Sequence, residues 1–185
     1  MTRRSILNTI FRRQNHIYFA TSVTKNNIYI LNKEINILNK MYDDMKDYIS
    51  QPNPIYLHLN TNGGDVQSGW TAVDFIRSSP VPIHTIVEGG CASAGTLMSI
   101  VGQKRYMTRY ARMLIHQSSS SIEGTFRELE DEIKYLREDM NETIDFYHKY
   151  SKMSKTKIRN QLKHDHWWNF KTAKKHGFID SEWII

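Results

Sequence analysis

Apolar residues along this chain alternate between short dense runs, which suit strands, and stretches spaced three or four apart, which suit helices with one buried face. Residues 16–22 and 27–31 read as strands, and 34–49 as a helix with Ile35, Leu38, Met41, Met45 and Ile49 on one side. A strand over 55–59 runs into Asn60-Thr61-Asn62-Gly63-Gly64, and Asp65 is placed to cap a helix whose Val66, Trp70, Val73 and Ile76 share a face. Pro80 and Pro82 should end that helix. The next strand spans 83–87 and is broken by Gly89-Gly90. Residues 92–101 look like a buried helix, and 106–107 and 113–115 like further strands.

From 124 to 150, Phe126, Leu129, Ile133, Leu136, Met140, Ile144 and Tyr147 keep helical spacing over many turns. A helix that long, roughly 40 Å at 1.5 Å per residue, overreaches a small sheet, so part of it should project and meet another copy. The tail reads as a short helix around 158–162, another capped by Asn169 and stopped at Gly177, and a strand-like Phe178-Ile179. Strand, crossover helix and strand repeated in this way point to one α/β domain with a largely parallel sheet. The domain is expected over 16–185, after a basic arm at 1–15.

The size, 185 residues, supports one full core. No apolar run is long enough to span a bilayer, which argues against a membrane role. Cys91 is the single cysteine, so no intramolecular disulfide can form and a reducing compartment is the default. The net charge of +6 first suggests nucleic acid, but its position removes that reading. Residues 1–33 hold six bases, including Arg3, Arg4, Arg12 and Arg13, and no acid, whereas the remainder is balanced at 19 against 19. Within the balanced part, 123–145 carry nine acids and three bases, and 146–176 carry nine bases and one acid, Asp165. Such segregation suits contacts between copies of a protein at least as well as a phosphate-binding stripe.

In parallel α/β sheets, chemistry gathers where strand ends meet helix starts. Ser93 sits at such a junction, in a glycine- and alanine-rich turn that opens an apolar helix, where amide groups and the helix dipole favour an oxyanion. Taken locally it reads first as a helix-capping serine. His116 follows a strand and has the pKa range of a general base, although eight histidines share the chain. Asp165, beside Trp167-Trp168, suits either the orientation of a histidine or a salt bridge. Cys91 competes as nucleophile, but a free cysteine is usually a small buried apolar residue. His164-Asp165-His166 lacks a third ligand, so no metal is expected, and Gly63-Gly64 lacks the lysine of a phosphate loop.

Taken together, these segments resemble the proteolytic subunit of the Clp protease, ClpP. The resemblance is carried by Ile55 to Gly64, by Gly90-Cys91-Ala92-Ser93-Ala94-Gly95, by Met113-Leu114-Ile115-His116-Gln117, and by Asp165-His166-Trp167-Trp168 through to Gly177-Phe178-Ile179-Asp180. It implies an α/β ClpP/crotonase-like fold with a long projecting handle helix, and a serine endopeptidase acting on unfolded polypeptides or peptides. Ser93 would be the nucleophile, His116 the general base and Asp165 its orienting partner, with the Gly64 and Ala94 amides as oxyanion hole.

The same resemblance implies homo-oligomeric heptameric rings, stacked as a tetradecamer around a chamber, and a partner AAA+ ATPase that docks at a groove containing Tyr56. No cofactor is implied, ATP being used only by that partner, and the setting is cytoplasmic, with organellar or virus-encoded origin as the alternative. Asn62 stands where the family has proline, His58 where it has an aromatic, and 118–121 are serines where it has Pro-Leu-Gly-Gly. The competing readings are an inactive ring or scaffold subunit and a crotonase-type acyl-CoA enzyme.

Overall fold

A computed structural model describes residues 10–184; Arg3 and Arg4 of the basic arm lie outside them. The chain runs β1 (Ile10–Arg13), β2 (His16–Phe19), α1 (Lys25–Met45), β3 (Ile55–Thr61), α2 (Val66–Ser78), β4 (Ile83–Ala92) and α3 (Ala94–Ile100). It continues with β5 (Lys104–Met107), β6 (Arg112–Leu114), α4 (Phe126–Tyr150), α5 (Lys155–Gln161), α6 (Phe170–His176) and β7 (Ser181–Glu182). One sheet has the order β1-β2-β3-β4-β5-β7, with β6 joined to β4. The β1–β2 hairpin is antiparallel, and every other pair of these strands is parallel.

The two faces of the sheet differ in chemistry because side chains alternate along a strand. Ile55, Leu57 and Leu59 of β3 are buried and join the core formed with Ile28, Leu31 and Ile35 of α1 and Ala72, Val73 and Ile76 of α2. The opposite face carries aromatic rings. Tyr18 stacks on His58 at 4.3 Å, His16 on Tyr56 at 4.7 Å, and Trp183 lies 5.3 Å from Tyr106. A polar chain is embedded in this layer: His16 Nδ1 is 2.8 Å from His58 Nε2, and His58 Nδ1 is 2.7 Å from Glu88. Burial, helped by the neighbouring His58, holds the His16 pKa below its ordinary value.

The sequence expectation differs from the structure in four places. Residues 27–31 are helical, because Thr24 accepts a hydrogen bond from the Asn27 amide at 3.2 Å and opens α1 before them. Ile28, Leu31, Ile35 and Leu38 then form one buried stripe, while Met41 and Met45 are half-exposed and the helix ends without reaching Ile49. Gly89-Gly90 bends β4 without ending it: Gly89 takes φ +68°, and beyond a register shift Gly90–Ala92 pair with β6 in place of β5. Phe178-Ile179 are core residues outside any strand, with Phe178 against Trp168 and Tyr147, and β7 starts beyond Asp180. At the other end, residues 10–13 of the basic arm form β1. It turns back through Gln14 at φ 54°, and Arg12 pairs with Glu34 at 2.8 Å.

Helix α4 projects as its length suggested. A capping box joins Thr125 and Glu128 at its start. Its buried residues, Asp139, Thr143, Ile144 and Tyr147, all lie in the second half, whereas Phe126 and Ile133 in the first half are mostly exposed.

The C-terminal segment is fastened by Arg105, which pairs with Asp180 through two guanidinium nitrogens and also donates to the Tyr150 and Gly177 carbonyls, each at 2.8 Å. Burial alone would raise the Asp180 pKa, but hydrogen bonds and charge from Arg105 outweigh it and hold the carboxyl below its ordinary value. A depressed folded-state pKa means that the unfolded chain binds the proton more readily. The pairing therefore stabilises fully above the ordinary carboxylate range and is lost as pH falls through the depressed value. Arg105→Gln is expected to lower stability at neutral pH and to flatten this part of the acid-unfolding curve. Urea titrations at pH 7 and pH 3 would check it.

Candidate active site

Strand β4 ends at Ala92 and the chain turns at Ser93 before α3 begins at Ala94. Ser93 has φ 54° and ψ −130°, a conformation that an L-residue other than glycine rarely adopts and that is retained only under local constraint. Its hydroxyl makes no capping bond to α3, so the helix-cap reading of this serine does not describe the geometry. Three contacts hold the turn. The Ser93 amide donates to Leu114 of β6 at 3.0 Å, and the Ser93 carbonyl accepts from Thr96 N at 2.8 Å and from Thr96 Oγ1 at 2.7 Å. Thr96 Oγ1 in turn lies 2.6 Å from the Tyr147 hydroxyl of α4.

The glycine turn after β3 closes one side of the site. A methyl group on Gly63 would come within 2.6 Å of Ser93 Cβ and 2.7 Å of the Ala92 carbonyl. On Gly64, at φ +149°, it would stand 2.2 Å from the Val23 carbonyl. Val23 pins this turn on both flanks, donating to Gly63 O at 2.8 Å and accepting from Asp65 N at 2.9 Å. Asp65 caps α2 through the Ser68 amide, as the sequence suggested. The amides of Gly64 and of Ala94, the first residue of α3, donate no hydrogen bond among the described residues. Free backbone donors beside a serine are groups that can bind an anion.

His116 lies two residues beyond Leu114, the backbone partner of Ser93, and so leaves β6 next to the serine turn. Met113 and Trp168 form an antiparallel bridge, at 3.0 and 2.7 Å. Three residues forward from Met113 and three back from Trp168 bring His116 opposite Asp165. The His116 Nδ1–Asp165 Oδ1 separation is 3.7 Å, which is longer than a hydrogen bond, and the Asp165 side chain is 77% exposed. Among the described residues, Ser93 and His116 share no hydrogen bond. The structure thus brings Ser93, His116, Asp165, Gly64 and Ala94 to one end of the sheet. Tyr56 is at the other end of β3, within the aromatic layer.

Cys91 is fully buried, and burial pushes its thiol pKa up to about 12 against a smaller lowering by Ser99. A thiol so disposed is neither ionised nor reachable at neutral pH. Iodoacetamide is expected to leave the folded protein unmodified and to alkylate Cys91 only in denaturant, as peptide mass mapping would report.

Sequence reasoning gave no site role to Thr96, Tyr147 or Trp167. Thr96 stands three residues after Ser93, a spacing that signals a bond to its carbonyl; Tyr147 is 51 residues from Thr96 and carries no such signal. Trp167 reaches over Gly90, its ring atoms 3.8 Å from the position of a Cβ there.

Fold and site together have the layout of an α/β enzyme of the serine-hydrolase type, with a serine, a histidine and free backbone amides gathered where β3, β4 and β6 end. The family model for Clp protease matches residues 7–182. The ATP-dependent Clp protease proteolytic subunit 2 of Treponema pallidum is 30% identical over 72% of this chain and 68% of its own length. The corresponding subunit of Deinococcus radiodurans is 29% identical over 68% of this chain and 63% of its own. A mutant ClpP1 structure from Listeria monocytogenes superposes with a TM-score of 0.78 at 20% identity, covering 90% of each chain, and has the same fold. The chain belongs to the Clp protease family and is by class a serine-type endopeptidase.

No helix among the described residues is long and apolar enough to cross a membrane.

Proposed function

We propose that this chain hydrolyses unfolded polypeptides or peptides through Ser93, His116 and Asp165. The observation that carries the reading is the Ser93 turn itself: a strained serine at a helix start, held beside β6 and packed against Gly63. In this mechanism Asp165 faces His116 Nδ1–H and fixes the tautomer in which Nε2 is free. That nitrogen takes the proton of Ser93 as Oγ attacks the substrate carbonyl carbon. The carbonyl oxygen becomes an oxyanion that the Gly64 and Ala94 amides bind. The proton passes to the departing amine as the C–N bond breaks, and water activated by the same base releases the acyl group. No cofactor enters this chemistry. The 3.7 Å separation of His116 and Asp165 has to shorten in the productive complex, as catalytic contacts in unliganded sites commonly do.

The first half of α4 supports assembly into rings, because Phe126 and Ile133 form an apolar face that is left mostly exposed. By analogy with the relatives' printed description as subunits of an ATP-dependent protease, a partner AAA+ ATPase would feed substrate from the aromatic face around Tyr56. Two stacked heptamers of 21.8 kDa chains would have a native mass of ~305 kDa, which native mass spectrometry would detect; a stable 21.8 kDa species would reject the ring.

Hydrolysis of a short fluorogenic peptide tests the activity. Turnover that disappears in His116→Ala is the expected result, whereas an inactive scaffold subunit would give none in either protein.

A further inference from the structure

A cleft of about 200 Å³ opens directly beside Gly64, between the start of α2, the serine segment after His116 and the middle of α4. Its charged lining is wholly acidic: Asp65, Glu132 and Asp139. The first two carboxylates are engaged, Asp65 with the Ser68 amide at 2.8 Å and Glu132 with the Ser120 hydroxyl at 2.6 Å. Asp139 is different. Only 6% of it is exposed, Oδ2 accepts from Ser118 at 2.8 Å, and Oδ1 is buried with no hydrogen-bond partner among the described residues.

A buried carboxylate with an unused oxygen is unfavourable until a donor, best a cationic one, reaches it. Among the described residues, no lysine, arginine or histidine lines the cleft to do so. Because Gly64 belongs both to the cleft and to the proposed oxyanion site, an occupant of the cleft lies close to the bond that Ser93 would attack.

We propose that this cleft is a specificity subsite for a lysine or arginine side chain of the polypeptide next to the cleaved bond, with Asp139 as the residue that selects it. The inference rests on the peptidase reading above. An ammonium or guanidinium group supplies the missing donor to Asp139 and is attracted by Glu132 at the same time. A glutamate side chain is repelled by both, and a leucine leaves the Oδ1 atom unpaired. The four-serine segment 118–121 contributes through Ser118 and Ser120, which aim the two carboxylates.

The test uses quenched fluorogenic peptides that are identical except for Lys, Arg, Leu or Glu at the positions flanking the cut, with product masses locating the bond. The Lys and Arg peptides are expected to exceed Leu by about tenfold or more in kcat/KM, with Glu lowest, and Asp139→Asn is expected to bring the four close together. Equal rates in the unaltered protein would overturn the inference even if the Asn variant failed to fold. So would a basic preference that survives in a folded Asp139→Asn protein. Reaction with a fluorophosphonate separates the two readings. A Ser93 adduct with indifferent cleavage faults the subsite alone, and no adduct with no cleavage faults the peptidase reading itself.

Discussion

Ser93→Ala is expected to reduce peptide hydrolysis by roughly five to six orders of magnitude, the loss found when the nucleophile of a serine triad is removed. Stability should hardly move, within about 0.5 kcal/mol, because the hydroxyl makes no capping bond and the alanine would inherit the same backbone. Ser93→Gly sharpens the point. Glycine accepts φ 54° without steric penalty, so this variant should be as inactive as the alanine protein yet more stable by about 1 kcal/mol. Initial rates and urea unfolding of the three proteins measure both quantities. A serine that served only the fold would show the reverse pattern, with activity retained or stability lost.

Gly64→Ala is expected to combine both kinds of damage. The added methyl group would stand 2.2 Å from the Val23 carbonyl oxygen, a backbone atom that cannot rotate away. Val23 is hydrogen-bonded on both sides of Gly64, so relief requires the turn to separate from residue 23 as a unit. That movement carries the Gly64 amide away from the carbonyl it is proposed to polarise. Loss of one such donor lowers kcat by about a hundredfold or more, and the displaced backbone should remove about 3 kcal/mol of stability. Kinetics with the fluorogenic peptide and a denaturation midpoint at neutral pH would report the two effects. Unchanged kinetics in a destabilised but folded protein would remove Gly64 from the anion site.

How much of the molecule is legible in the sequence depends on how local each cause is. Asp65 and Asn169 are recognisable as caps and Gly177 as a stop because each acts within a few residues, and the left-handed Gly177 at φ 79° ends α6 accordingly. The parallel sheet follows from alternation alone. The start of α1 misleads because Asn27-Ile28-Tyr29-Ile30-Leu31 is rich in residues that favour strands, and the deciding feature is the Thr24 cap together with burial of Ile28 and Leu31 in one stripe. Gly89-Gly90 reads as a break, but two partner strands hold β4 together across the bend, which no local pattern encodes. For the site, each residue is individually ambiguous, and only the motif order makes them a set. Their spatial meeting depends on the Met113–Trp168 bridge and the Ser93–Leu114 bond, both long-range. The acidic cleft is not legible at all: Asp139 lies on a charged helix among eight other acids of 123–145, and its burial distinguishes it only in three dimensions.

The central claim is that Ser93 is an activated nucleophile. Its most direct test is the site of covalent modification: treatment of the folded protein with a fluorophosphonate, followed by proteolytic digestion and tandem mass spectrometry. The expected result is a single adduct on Ser93 whose formation slows markedly in His116→Ala. An unmodified Ser93 in folded protein, or an adduct forming equally fast without His116, would contradict it.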